Sequence, residues 1–328
     1  MSDAVDMAYT RLGDTGLEVS RLCLGCMNFG SERPWMVNDR RASIDLIHEA
    51  LDLGINFLDT ANVYSTGESE DIVGDAVASA NRDELVLATK VYGDMGEGPN
   101  SGGLSRKHVL DQAEASLDRL DTDYIDLYQI HRWDENTPVE ETLSALDHLI
   151  ETGRVRYIGA STMTAYQFTK ALYTSDIEDY SRFACMQPEY SAVARHEEQN
   201  LLEVCEGEGI GVIPWSPLAG GFLTGKYERG AGPEDGTRAA ASESVRSYFT
   251  DENWAVLDAV ESVAGETGAT PAQVALAWLL EREPVTAPIV GPRTSEHLRE
   301  NVGALSVDLT PEQVERIAEP KAPRYPQR

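Results

Sequence analysis

Arg106-Lys-His-Val-Leu-Asp-Gln-Ala-Glu-Ala-Ser-Leu-Asp-Arg-Leu120, followed after four residues by Ile125-Asp-Leu-Tyr-Gln129, decides the fold. In the first run Val109, Leu110, Ala113, Leu117 and Leu120 recur at helical spacing, so one face is apolar. Ser105 stands before it as an N-cap. The second run is short and largely apolar, the pattern of a strand buried within a sheet.

Working outward, the pairing repeats. Strand-like runs stand at Leu22–Gly25, Ile55–Asp59, Val86–Lys90, Val155–Ala160, Phe183–Gln187, Gly211–Pro214 and Ala287–Val290. Between them lie stretches of helical period, among them Asp39–Leu53, Val139–Glu151 and Glu197–Cys205. Asn38 reads as an N-cap, and Gly54 and Gly153 as C-terminal stops. Eight such strands alternating with helices predict an α/β fold, a (β/α)8 TIM barrel. Tyr9–Leu12 and Leu17–Ser20, around a Gly13–Gly16 turn, predict an N-terminal β-hairpin. Additional outer helices are expected near Pro271–Glu281 and Pro311–Glu319. No linker interrupts the pattern, so residues 1–328 read as a single domain. Leu218–Asn253, with six glycines, reads as a mobile loop after the seventh strand.

Charge limits the partners. The formal net charge is −29, from 56 acidic against 27 basic residues, of which only five are lysine. Such a field repels nucleic acid and anionic membranes. The carboxylates are spread along the chain, so the expectation is a halophilic protein, built for a salt-rich cytoplasm. Molar salt cuts the screening length to roughly 3 Å, which would relieve the self-repulsion. No apolar run approaches the roughly 18 residues needed to span a bilayer. Met1–Tyr9 carries Asp3 and Asp6 and lacks a basic, apolar leader, so a soluble, cytoplasmic chain is expected. Cys23 and Cys26 form a C-x-x-C inside an apolar run, and read as buried hydrophobes rather than a metal or redox pair. Of six histidines only His131 falls at a strand end, so no metal site is expected.

Function in such a barrel collects at the carboxyl ends of the strands. There the reading places Asp59, Tyr64, Lys90 and His131 around one mouth. A free phenol has a pKa near ~10 and a free ammonium near ~10.4. An ammonium beside a phenol lowers the phenol's pKa, so an acidified Tyr64 is expected. A carboxylate beside Lys90 would hold it, and His131 would donate to a substrate oxygen or help relay the proton. The set suits proton delivery to a developing alkoxide, with the hydride supplied by a cofactor.

Three motifs in this order carry a resemblance. They are Gly54-Ile-Asn-Phe-Leu-Asp-Thr-Ala-Asn-Val-Tyr64, Leu87-Ala-Thr-Lys90 and Asp123-Tyr-Ile-Asp-Leu-Tyr-Gln-Ile-His131. Over nearly its whole length the chain resembles the aldo-keto reductases. Gly103-Leu-Ser-Arg-Lys107, His131-Arg-Trp-Asp134, Thr137-Pro-Val-Glu-Glu-Thr142 and Ile213-Pro-Trp-Ser-Pro-Leu218 look like a general bacterial branch. The resemblance implies a tetrad of Asp59, Tyr64, Lys90 and His131 with Tyr64 as the acid. It also implies NADPH as cofactor, a small-molecule aldehyde or ketone as substrate, and a monomer or weak homo-oligomer. The alternative it leaves open is an NADP(H)-binding, redox-sensing regulatory barrel with little turnover.

The cofactor site follows from the last two strands. No G-x-G-x-x-G follows a strand, so a Rossmann site is not expected. Barrels use the loops after strands seven and eight for phosphate. Trp215 is placed to stack on a nicotinamide, as the family implies. Ser216, Leu218, Gly220 and Lys226 follow on a loop able to fold over a pyrophosphate. Gly291 leads into a helix whose N-terminus, beside Arg293, is an anion site. The resemblance implies that Arg293 holds the 2′-phosphate with Thr294 as helper, and that His297 and Asn301 face the adenine. It implies that Ser161, Thr162 and Gln187 hold the carboxamide; Thr162 departs from the asparagine common in the family. Trp35, Tyr92 and Trp133 are expected to line an apolar mouth.

Overall fold

The computed structural model describes residues 7–33, 35–233 and 235–324. The hairpin comes first, with β1 (Tyr9–Arg11) antiparallel to β2 (Glu18–Ser20). Eight parallel strands follow: β3 (Cys23–Gly25), β4 (Phe57–Asp59), β5 (Val86–Val91), β6 (Ile125–Ile130), β7 (Val155–Ser161), β8 (Phe183–Gln187), β9 (Gly211–Val212) and β10 (Ile289–Val290). Their ladder runs from β3 to β9 in chain order, with β10 beside β3. The seam between β9 and β10 is closed by hydrogen bonds from Thr286 N to Val212 O at 2.8 Å and from Ile289 N to Pro214 O at 2.9 Å. This is a (β/α)8 barrel with an N-terminal hairpin.

The strands read as apolar runs because both faces are covered. Side chains alternate across each strand. On β5, Val86 and Ala88 belong to a core inside the barrel with Phe57, Leu127 and Ile213, whereas Leu87 and Val91 face the helix layer. The same alternation turns Lys90 inward, one step above Ala88. Asp59 is likewise one step above Phe57, and Gln129 one step above Leu127. Lys90 pairs in register with Gln129, and Asp59 with Ala88, so these polar groups share the upper layer of the interior. Leu12 and Val19 of the hairpin join the lower interior.

The principal helices are α1 (Arg40–Asp52), α2 (Glu68–Val77), α3 (Arg106–Leu120), α4 (Val139–Glu151), α5 (Ala165–Glu178) and α6 (Leu201–Gly207). Then come α7 (Arg238–Ala241), α8 (Glu243–Arg246), α9 (Asp251–Thr267), α10 (Pro271–Leu280), α11 (Ser295–Gly303) and α12 (Pro311–Ala318). Ser105 caps α3 as expected, but α1 is capped by Asp39, not Asn38, because the Asp39 carboxylate accepts from Ala42 N at 2.8 Å. The stretch 197–205 is not one helix. It is a 3-10 turn, His196–Gln199, and α6, separated by Asn200 at φ −151°.

The segment 218–253 also differs from expectation. It folds into a 3-10 turn (Ala219–Thr224), α7 and α8, and its end forms the first turn of α9. Phe222, Leu223, Ala239 and Val245 are buried, and the Phe222 ring lies 4.7 Å from Trp254 and 5.6 Å from Phe249. This aromatic cluster supplies the apolar anchor that the glycine count obscures. Cys26 opens a 3-10 turn rather than continuing the strand; Cys23 and Cys26 are free and buried in separate cores. Among the described residues no helix is long and apolar enough to cross a membrane. Nor does any group of three or more His, Cys, Asp or Glu stand ready for a metal.

Candidate functional site

Four strand ends deliver one polar cluster. The Lys90 Nζ lies 2.6 Å from Asp59 Oδ2, 2.8 Å from Thr60 O and 3.2 Å from Tyr64 Oη. An ammonium has three N–H groups and no lone pair, so all three of its donors are committed. Tyr64 Oη therefore accepts from Lys90, and its own O–H is left to point elsewhere. The other Asp59 oxygen accepts from Gln129 Nε2 and Gln187 Nε2, each at 2.9 Å. The His131 ring stands edge-on to Tyr64, with centroids 5.7 Å apart at 83°. Tyr64 is carried by a turn in which Ser65 and Thr66 both have left-handed φ, at 47° and 53°. Such strain in residues other than glycine persists only where the surroundings hold it.

Electrostatics correct one expectation. The Tyr64 phenol is raised above its ordinary value, not lowered. Burial is the largest cause and outweighs the pull of Lys90, while the Asp59 charge adds to the rise. Burial works against the Lys90 ammonium too, but Asp59, Tyr64 and the hydrogen bonds to both raise it overall. His131 is lowered to about 3, by burial first and then by the charges of Lys90 and Arg132. The cluster thus holds a protonated phenol, a charged lysine and a neutral imidazole at neutral pH.

These groups open onto a cavity of about 530 Å³. Asp59, Tyr64, His131, Ser161, Thr162 and Gln187 line it near the cluster. Trp215, Ser216, Leu218, Gly220 and Lys226 extend it under the 218–253 segment. Gly291, Arg293, His297 and Asn301 complete it from β10 and α11. Thr162 and Ser216 both have left-handed φ, at 49° and 53°. Two glycines stand out here: a Cβ at Gly291 would lie 2.7 Å from Asn28 Nδ2, and Gly221 has a left-handed φ of 91° that a larger residue would strain to adopt.

With this geometry in view, the comparisons give the family. The model of the Aldo/keto reductase family matches residues 21–321. The chain belongs to the aldo/keto reductase family. It is 39% identical over 339 residues to versiconal hemiacetal acetate reductase of Aspergillus parasiticus, covering 97% of this chain and 98% of that one. It is 40% identical over 316 residues to the uncharacterized oxidoreductase YrpG of Bacillus subtilis, covering 93% of each. It is also 36% identical over 329 residues to a probable voltage-gated potassium channel subunit beta of Arabidopsis thaliana, covering 97% of this chain and 98% of that one. Membership implies an oxidoreductase.

In this reductase-family barrel most residues expected at the site meet at the cavity, with exceptions. Lys90 is fully buried and acts only through Asp59, Thr60 and Tyr64. Thr294 does not line the cavity; its hydroxyl caps α11 by accepting from His297 N at 3.2 Å. Trp35 lines the mouth, but Tyr92 and Trp133 pack against the core instead.

Sequence reasoning missed Asn28, Arg238 and Glu300, which all line the cavity; Arg132, which also lines it, opens the loop 132–137 that the sequence reading places in the pocket wall. Asn28 Nδ2 donates to Gly291 O at 2.6 Å, joining the first and last barrel loops. Arg238 lies with its guanidinium 4.9 Å from the Trp35 ring centroid, and Arg293 donates to Trp35 O at 3.3 Å. Lys226 is lowered by burial and then by the charges of Arg293 and Arg238, so the three cations share one end of the cavity. The overlooked signal for Arg238 was a cation within an alanine-, glycine- and serine-rich stretch of a chain with net charge −29.

Proposed function

We propose that this chain is an NADPH-dependent aldo-keto reductase, with residues 1–328 forming one catalytic domain. The observation that carries the reading is the commitment of all three Lys90 donors, which leaves the Tyr64 hydroxyl proton free for a substrate oxygen. Tyr64 is the general acid, Lys90 and Asp59 position it, and neutral His131 donates to the carbonyl oxygen.

The cavity fits the cofactor. Ser161, Thr162 and Gln187 would hold the carboxamide, and Trp215 would stack on the ring. Gln187 spends its amide N–H groups on Asp59 and Gln129, leaving its carbonyl oxygen for a ligand donor. Ser216, Leu218, Gly220, Lys226 and Arg238 would take the pyrophosphate; Gly291 gives close approach, and Arg293 at the α11 N-terminus would take the 2′-phosphate. Thr294 contributes by capping that helix, and His297 and Asn301 would face the adenine. When bound, the reduced nicotinamide supplies the hydride. The Tyr64 proton then neutralises the alkoxide, and Lys90 stabilises the phenolate left behind.

Arg293→Ala is expected to weaken NADPH roughly ten- to a hundredfold more than NADH, the worth of a lost charge-assisted contact. Fluorescence titration with both nucleotides checks this; equal losses would move the phosphate elsewhere.

The substrate is a small carbonyl compound, and the protein works in the cytoplasm as a monomer or weak homo-oligomer. The net charge of −29 supports a salt-rich setting. A screen of NADPH oxidation over aldehydes, ketones and sugars, in dilute buffer and in molar KCl, tests both points. Multiple turnover with at least one aldehyde, and higher activity in KCl, are expected. The channel-subunit relatives favour a second reading, a redox sensor. Tight NADPH binding without multiple turnover would select it.

A further inference from the structure

The cations lining the cavity fall into two groups. Lys226, Arg238 and Arg293 sense one another at the phosphate end. Arg132 stands apart, next to His131, and its charge is among those that keep that imidazole neutral. Among the described residues none of the ion pairs formed by arginine, lysine or histidine includes Arg132. The two acids that line the cavity do not compete for it. Asp59 is bound to Lys90, and Glu300 lies on α11 beside Asn301. The lining of the cavity also includes the apolar Met27. Arg132 is an exposed residue beside His131 that also lines the cavity, so its solvated guanidinium is free to meet a group carried in by a substrate.

We propose that Arg132 is a specificity-determining residue that selects carbonyl substrates bearing a carboxylate away from the reacting carbon. The inference rests on the reductase reading and deepens it. A guanidinium fork matches a carboxylate in two parallel hydrogen bonds, which a neutral aldehyde cannot use. The aldehyde oxygen would meet Tyr64 and His131 while the acid group meets Arg132, so the same substrate is held at both ends.

The test compares kcat/KM for glutarate semialdehyde with that for pentanal, in the wild type, Arg132→Gln and Arg132→Lys. A second pair, glycolaldehyde phosphate and glycolaldehyde, separates carboxylate from phosphate recognition. The acid-to-neutral ratio is expected to fall roughly ten- to a hundredfold in Arg132→Gln, mainly through KM, with partial recovery in Arg132→Lys. An unchanged ratio in Arg132→Gln overturns the proposal. A fall confined to the phosphate pair overturns the carboxylate assignment. Wild-type turnover of pentanal with an unchanged ratio sinks this inference alone, whereas silence of the wild type on every aldehyde sinks the reductase reading and this one with it.

Discussion

Tyr64→Phe is expected to lower kcat by roughly a hundred- to ten-thousandfold, the usual worth of a positioned general acid, while NADPH affinity stays nearly unchanged. The substitution removes one hydroxyl and keeps the ring that faces His131 edge-on. It leaves one Lys90 donor without its acceptor, but the contacts to Asp59 and Thr60 remain. The loss should therefore appear in the chemical step. Single-turnover reduction with saturating NADPH measures it directly, and wild-type rates in the variant would remove Tyr64 from its role. The pH profile adds a second check. The phenol is raised above its ordinary value of about 10, and His131 titrates at about 3. Between those limits neither group changes charge, so wild-type kcat should be flat across neutral pH and fall only when the phenol ionises.

Lys90→Met is expected to cost both activity and stability. Lys90 is fully buried and Asp59 is 3% exposed, so the variant strands a carboxylate with only Gln129 and Gln187 as donors. Breaking a buried ion pair from one side typically costs about 3–5 kcal/mol. Urea unfolding at fixed salt reads that loss. Adding Asp59→Asn should restore much of the stability, because the stranded charge is gone, yet leave kcat low, because the ammonium beside Tyr64 is still missing. A single variant as stable as the wild type would show that the carboxylate was never charged in the fold.

Much of the architecture was legible because its determinants are local. Strand β8 and helices α3 and α4 fall on the residues that periodicity marks, and Gly54 and Gly153 take the left-handed φ expected past a helix end. The period-2 alternation that buries Val86 and Ala88 also turns Lys90 inward, so the polar layer follows from strand position alone. Family motifs then named Asp59, Tyr64, Lys90 and His131, and these four do converge.

Other features had no local mark. Phe222 and Trp254 are 32 positions apart in the chain, and only their contact shows that the intervening segment is folded. Arg238 reaches the cavity because α7 docks there, not because of its neighbours in sequence. The direction of the Tyr64 shift depended on a contest between Lys90, which the sequence placed nearby, and burial, which it left unweighed. Periodicity and capping are read from residues a few positions apart, so the sequence alone determined the barrel and the identity of its polar strand ends. Desolvation and charge pairing depend on groups brought together from across the chain, so only the tertiary structure decided which of those groups hold protons and which cations share the cavity.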